Sequence, residues 1–464
     1  MSDGPPAAPA ARRGLVSAVM AAVFLAAVDQ TIVATALPGI SAELGDAAMY
    51  AWVLTSYMMA TTVFVPIAGS LGDIYGRRPV LLFGVAVFTI GSLLAGGATS
   101  MIQLVVFRAL QGVGAGVLTA NAFALLGDVY PASTMARATG MMSAVYGLAG
   151  AVGPVLGGVL ADHVGWRWIF WSNVPACAAI GTILVARLPR TANVRGARVD
   201  VLGAVVLTAV LVPALGALSW AGEGVAFTEP RMLAALLLSL AFGAAFVAIE
   251  LRAACPIIEL RLFRYATFTL AMAAMFGVAL AMYASVSYTP LLFQARMAMS
   301  ASQAGFVTAP LVLALAVTAA VAGRMIAGGV GYRWPAATGV AIAAAGLAWL
   351  ASLAADTSRL TAAAAMAMVG AGLGLTIPTL LLAAQRSVPH QHLGVTTALA
   401  KFFRSVGGVV GVVAAGAAIR HHESGSREPG EALSLVMFYA AAVMVATLAL
   451  ILALPSRRAE LGAR

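Results

Sequence analysis

The sequence predicts an all-α membrane protein of fourteen transmembrane helices, on three observations. Of its 464 residues, 62% are hydrophobic and 9% charged, with a mean hydropathy of +0.97; a soluble domain carries about a quarter charged residues. Fourteen apolar stretches approach or exceed the roughly 20 residues that a helix needs to cross a bilayer. They lie at about 15–37, 50–71, 79–98, 102–126, 137–160, 168–187, 200–220, 231–252, 266–291, 301–324, 335–354, 361–383, 394–419 and 432–454. The third observation is where the arginines fall. With the N-terminus placed inside, 18 arginines lie on the cytoplasmic side and 6 on the other, the bias that sets membrane orientation. The net charge of +10 is then topology, not a nucleic-acid footprint. Scattered glycine among alanine, leucine and valine favours packed helices over the alternating strands of a barrel.

A short cytoplasmic tail (1–14) leads into span 1, whose Val28-Asp29-Gln30-Thr31-Ile32-Val33 run holds the one carboxylate deep inside a span. An acid at helix centre costs about 2.5–3.5 kcal/mol on insertion scales. Such a group demands a reason: a proton-coupling site or a permanently paired structural acid. Between spans 2 and 3, Gly69-Ser70-Leu71-Gly72-Asp73-Ile74-Tyr75-Gly76-Arg77-Arg78 is too short and glycine-rich to be a helix of its own. Its Asp73, Arg77 and Arg78 would make a charged hinge on the cytoplasmic face, a gate whose ion pairs break and re-form. Span 4 carries Arg108, with Gln111 and Ala115 on the same face by i, i+3, i+7 spacing. Gly112 and Gly116 form a close-packing ridge beside that face. A buried guanidinium is as costly as the acid unless paired or solvated, and one that snorkels to the interface is purely structural.

Span 5 is crowded with glycine around Gly153-Pro154-Val155-Leu156-Gly157-Gly158, where small residues bring helices together and proline bends the helix. Trp166-Arg167-Trp168 opens span 6 with the aromatic residues of a membrane interface. The basic connection 189–198 then divides the chain into an N-terminal six-helix bundle (15–190), an inserted helix pair (200–252) and a C-terminal six-helix bundle (266–454), with a cytoplasmic tail (455–464). The segment 255–265 mixes charged and bulky apolar residues and reads as an interfacial element. Gly323-Arg324 and Gly331-Tyr332-Arg333 faintly repeat the opening loop, with Ala327 standing where Asp73 stands; repeated halves around a central site are a transporter design. Spans 9, 10 and 12 contain no Asp or Glu. Span 9 contributes Tyr283 and span 13 a second intramembrane arginine, Arg404. Together with Gln30, Gln111 and Asn121 they are candidates for a substrate cavity; Arg404 is equally open to a structural role.

These motifs carry a resemblance. The loop resembles the Gly-x-Leu-x-Asp-x-x-Gly-Arg-Arg/Lys signature of the major facilitator superfamily of transporters. Asp29-Gln30-Thr31-Ile32-Val33 through Ala36-Leu37-Pro38 is similar to the first-helix pattern of its fourteen-helix drug:proton antiporters, with Ala34 and Thr35 where that family has Asn and Val. Arg108 through Gly112 matches the Arg-x-x-Gln-Gly motif, which implies a proton-relay role for the arginine. Gly153 through Gly158 matches the Gly-Pro-x-x-Gly-Gly motif of antiporters, with Ala149 replacing the leading glycine. The Trp166–Pro175 run and the Arg404-x-x-Gly407-Gly408 run also look like family segments.

The expected function is proton-coupled export of amphiphilic small molecules by alternating access. An uptake symporter and a non-transporting sensor are the alternatives. No nucleophile–base constellation points to an enzyme. Gly370-Ala371-Gly372-Leu373-Gly374 lacks the strand and the Lys-Ser/Thr of a nucleotide loop, so a proton gradient is the expected energy source and no cofactor or metal is expected. Cys177 and Cys255 have no metal-ligand spacing. The expected setting is a bacterial inner (plasma) membrane, multi-pass, both termini cytoplasmic, as a monomer, its partners being lipid, protons and an amphiphilic substrate but not nucleic acid.

Overall fold

The computed structural model describes residues 9–46, 49–129, 132–188, 201–222, 224–253, 258–389, 393–423 and 429–454. Among them every regular element is helical. The α-helices are α1 (Pro9–Leu44), α2 (Tyr50–Tyr75), α3 (Arg77–Gly96), α4 (Met101–Val129), α5 (Ala132–His163), α6 (Arg167–Trp171), α7 (Asn173–Arg187), α8 (Val201–Gly222), α9 (Pro230–Glu250), α10 (Ala266–Met297), α11 (Ala301–Ala327), α12 (Arg333–Ala351), α13 (Arg359–Arg386), α14 (Leu393–Glu423) and α15 (Pro429–Leu452). The basic connection 189–198, Cys255 and the tail from 455 lie outside the described residues.

Twelve helical segments are long and apolar enough to cross a bilayer, with α6 and α7 counting as one. The described apolar stretches of α2 and α8 are shorter, Tyr50–Val65 and Val205–Leu218, so length and composition reach twelve of the expected fourteen. Most helices outrun the spans read from hydropathy. At 1.5 Å per residue, the 36 residues of α1 exceed a hydrocarbon core of about 30 Å, because a helix need not stop where the apolar side chains do. For the same reason α1 begins at Pro9, inside the segment expected to be tail.

Two features depart from the linear reading. The expected loop 69–78 is nearly all helix: α2 continues to Tyr75 and α3 starts at Arg77. Gly76 alone makes the turn, at φ 88° and ψ 150°, a conformation that essentially only glycine adopts. Conversely, span 6 is two helices broken at Ser172. Pro175 has no N–H to return to Trp171, so the i→i−4 ladder fails at that point.

α1, α3, α4 and α7 pack around one another, with α2 on α4 and α5 on α1. α10, α13, α14 and α15 pack likewise, with α11 and α12 both on α13. The two groups meet along α5–α11, α2–α14 and α1–α10, and the α8–α9 pair leans on α14 and α2.

Candidate functional site

At the centre of the first group sits a closed polar cluster. Asp29, Ser92, Arg108 and Gln111 have no exposed surface and Asn173 retains 6%. One turn or less of α1, α3, α4 and α7 supplies each of them. Arg108 Nη1 pairs with Asp29 Oδ2 and donates to Gln111 Oε1 at 2.7 Å. Asp29 Oδ1 accepts from Gln111 Nε2 at 2.9 Å and Asn173 Nδ2 at 2.8 Å. Both amides also donate to Ser92 Oγ, at 3.0 and 2.9 Å. Ser92 in turn donates to the Phe170 carbonyl at 2.8 Å, two residues before the α6–α7 break.

The chemistry of the cluster is that of a neutralised pair. Removing two ions from water costs several kcal/mol each, and their attraction offsets that only when the remaining donors and acceptors are satisfied. Asp29 meets this condition with three donors. Arg108 does so less fully. Its Nε reaches the Val53 carbonyl at 3.4 Å, and Nη2 is buried without a hydrogen-bond partner. The Tyr57 ring compensates from 4.1 Å, a cation–π distance, and is itself fixed by a 2.8 Å bond from its hydroxyl to the Ala26 carbonyl. A proton on Asp29 would remove the only negative charge paired, among the described residues, with a guanidinium that cannot itself deprotonate.

The Gly-Pro segment of α5 touches both groups. A Cβ on Gly153 would strike Thr31 Oγ1, and one on Gly157 the Ile32 carbonyl and Thr35 Oγ1, all on α1. A Cβ on Gly158 would strike the Ala301 carbonyl of α11, and one on Gly305 of α11 the Pro154 carbonyl. At the end of this seam Asp162 accepts from the backbone N–H groups of Ala301 and Ser302, at 3.2 and 2.8 Å. Two contacts close the same end elsewhere. Gln294 of α10 donates to the Thr35 carbonyl at 3.2 Å, and the Tyr50 and Tyr288 rings stack at 5.3 Å.

Further along the seam, away from that closed end, a second group of side chains faces between the two halves. Lys401 Nζ lies 5.6 Å from the centre of the Tyr146 ring. Arg404, one turn along α14, is near enough for its charge to act on both Lys401 and Tyr146, and Tyr283 of α10 packs on Gly408 one turn further along. Tyr146 also hydrogen-bonds Thr119. Gly408 lets Tyr283 and Met58 close over α14.

The structure thus brings Asp29, Arg108 and Gln111 together, and Tyr283 with Arg404. Gln30 is half-buried and joins no hydrogen bond of the cluster among the described residues. Asn121 is fully buried between α4 and α2. It donates to the Ala68 and Val117 carbonyls at 2.9 and 3.1 Å and ties α4 to α2 where Gly72 allows contact. Near the Gly76 turn, Arg77 donates to the Gly69 carbonyl at 3.2 Å and Arg78 to the Val185 carbonyl at 2.7 Å. The side chains of Asp73 and Ala327 lie outside the described residues. Ser92, Asn173, Tyr57, Tyr146 and Lys401 were given no role from sequence. The signal for Asn173 was an amide inside an apolar span, two residues before Pro175.

Comparison with known proteins gives a consistent result. The family model described as Major Facilitator Superfamily matches residues 19–412. The chain is 35% identical over 404 residues to Multidrug transporter protein MdtP of Bacillus subtilis, covering 87% of this chain and 74% of that one. It is also 35% identical over 416 residues to an MFS-type transporter of Mycobacterium tuberculosis, covering 90% of this chain but 61% of the relative. The fold is similar to the crystal structure of the POT family transporter PepTSo, with TM-score 0.68 at 14% identity, covering 96% of this chain and 97% of that one.

Proposed function

The chain belongs to the Major Facilitator Superfamily and is a multi-pass membrane transporter rather than an enzyme, and from that premise we propose that it exports amphiphilic small molecules in exchange for protons. The observation that carries the reading is the buried Asp29–Arg108 pair with its amide donors, Gln111 and Asn173. The multidrug designation of the Bacillus subtilis relative and the helix-5 glycine–proline segment at the junction of the halves support it.

In this reading α2 and α8 also cross, giving fourteen spans arranged as two six-helix bundles (15–190 and 266–454) with an inserted pair (200–252). Both termini lie in the cytoplasm of a bacterial inner membrane, and the protein works as a monomer. The end closed by Asp162, Gln294 and the Tyr50–Tyr288 stack is then the external one. A proton entering from outside neutralises Asp29 and releases Arg108 from its counter-charge; the bundles rock, and the proton leaves to the cytoplasm as cargo loads. Each proton driven inward across about 100 mV supplies roughly 2.3 kcal/mol, and no cofactor is needed. The Gly76 turn, with Gly69, Asp73, Arg77 and Arg78, is the cytoplasmic hinge. Gln30, Gln111, Tyr283 and Arg404 remain cavity candidates.

The test is proton flux in liposomes loaded with a pH-sensitive dye, under an imposed pH gradient, with a panel of lipophilic anions, cations and neutral compounds. The wild type should discharge the gradient faster with a transported compound, and Asp29→Asn should not. Equal compound-dependent flux in both proteins would remove Asp29 from coupling. Absence of any such flux in the wild type would overturn exchange with protons.

A further inference from the structure

We propose that the site between the halves selects an amphiphile bearing one negative charge, held by Arg404 and flanked by Tyr146 and Tyr283. The assignment deepens the export reading and rests on it. It begins from a difference between the two intramembrane arginines. Arg108 is sealed from solvent and already faces a carboxylate. Arg404 is half-buried and makes no hydrogen bond or ion pair among the described residues. A guanidinium with open donors in a low-dielectric, partly accessible space attracts an anion, and its planar fork suits a carboxylate, sulfonate or phosphate.

The surroundings add to this. Lys401 lies one turn away, its Nζ 5.6 Å from the centre of the Tyr146 ring. Of the helices packed on α14, α10 and α13 contain no acid. From Ala266 through Arg386 the only carboxylate is Asp356, which sits in the turn between α12 and α13. Asp29, the acid deep in the first group, is committed to Arg108, Gln111 and Asn173. A cationic cargo would therefore meet the Arg404 guanidinium with no carboxylate from α10 or α13 to receive it. Two aromatic rings give the apolar part of the ligand its contact: Tyr146, against Lys401, and Tyr283, against Gly408. Gly408 keeps Tyr283 close to α14 and so close to Arg404.

Tetraphenylborate and tetraphenylphosphonium have nearly the same shape and opposite charge, which isolates this term from hydrophobicity. Equilibrium dialysis of each ion against the purified full chain in phosphatidylcholine nanodiscs, with empty nanodiscs subtracted, measures the preference. The wild type should hold the borate at least about tenfold more tightly than the phosphonium. Arg404→Gln should bring the ratio close to one, and Arg404→Lys should restore most of it. Size-exclusion and melting profiles matching wild type show that the glutamine variant is folded. Equal or tighter phosphonium binding, or an unchanged ratio in a folded Arg404→Gln protein, overturns the assignment. The liposome flux assay separates it from the export reading. Borate preference with neither ion driving proton flux leaves the site assignment standing while export falls. Proton flux driven by phosphonium without borate preference does the reverse.

Discussion

Replacing one member of the Asp29–Arg108 pair should cost far more than the pair is worth, and unequally for the two partners. Asp29→Asn leaves a guanidinium with no exposed surface facing a neutral amide, the case in which breaking a buried pair costs roughly 3–5 kcal/mol. The guanidinium cannot escape by losing its proton. Arg108→Gln keeps the two amide donors on Asp29 Oδ1, at 2.9 and 2.8 Å, and the carboxyl can be neutralised by taking up a proton. Its loss is then closer to a hydrogen bond to a charged group, about 1.5–3 kcal/mol. The double variant, Asp29→Asn with Arg108→Gln, removes both charges and should regain about 2 kcal/mol relative to the sum of the singles, within the range found for residues in contact.

Unfolding by sodium dodecyl sulfate in mixed micelles gives these free energies. Cys177, buried on α7 beside the cluster, reports unfolding through its reaction with a thiol probe in a Cys255→Ser background. Additive single effects, within about 0.5 kcal/mol, would mean that the two charges do not interact and that the polar cluster is not a unit. An Arg108→Gln loss equal to or greater than that of Asp29→Asn would refute the argument that the acid can relieve its own burial.

Four further outcomes follow from the packing and the charges. Gly157→Val should destabilise by roughly 1–3 kcal/mol through overpacking, because its side chain meets the Ile32 carbonyl; Gly147→Ala, with nothing within 4 Å of its Cβ, should be neutral in the same unfolding assay. Asp162→Ala removes the acceptor for the Ala301 and Ser302 N–H groups, a cap-like loss of about 1 kcal/mol; a cysteine placed at Gln303 should then react roughly fivefold faster with an impermeant maleimide, and an unchanged rate would dissociate Asp162 from closure. Gly76→Ala must hold φ 88° at a cost of about 1–3 kcal/mol, seen as lost stability without change in ligand preference; a neutral result would mean the turn relaxes freely. If the cargo is a monoanion leaving as one proton enters, each cycle moves two charges, so about 100 mV inside-negative adds roughly 4.6 kcal/mol of drive; transport indifferent to a valinomycin-imposed potential would rule that stoichiometry out.

The spans were legible because length and hydropathy decide them before any tertiary contact forms. Their ends were not, since nothing in the hydropathy of residues 9–14 or 38–44 marks where α1 stops being a helix. The break at Ser172 depends on Pro175, three residues downstream, in a segment that otherwise reads as one span. In the cluster, Asp29 and Arg108 stood out because an intramembrane charge is costly wherever it points. Ser92 and Asn173 carry no charge, and neutral polar residues in these helices usually bond to their own backbone: Thr55 to Ala51, Thr62 to Met58, Thr89 to Val85, each four residues back. Sequence cannot tell a hydroxyl of that kind from Ser92, which reaches across to α6 instead. Asn121 is ambiguous for a related reason, because an amide suits a helix–helix tie, such as its bond to the Ala68 carbonyl, as well as a cavity wall.

The placement of the two charged centres constrains how one can drive the other. All five residues of the Asp29 cluster come from α1, α3, α4 and α7, and no side chain of α10–α15 is hydrogen-bonded to it among the described residues. A proton and a ligand at Arg404 would therefore not compete for one group, and any coupling has to travel through helix packing. Only α1 both holds the acid and touches the other half nearby. Within two turns of Asp29, Thr31 donates to the Ala149 carbonyl of α5, Ile32 and Thr35 lie under Gly157, and the Thr35 carbonyl receives Gln294 of α10. A shift of α1 on loss of the Arg108 pairing would press on the same α5 segment that abuts α11 through Gly158 and Gly305. Since a backbone approach that close admits no intermediate side chain, α5 must move with α1 or part from it, which gives the seam two discrete arrangements rather than a graded one.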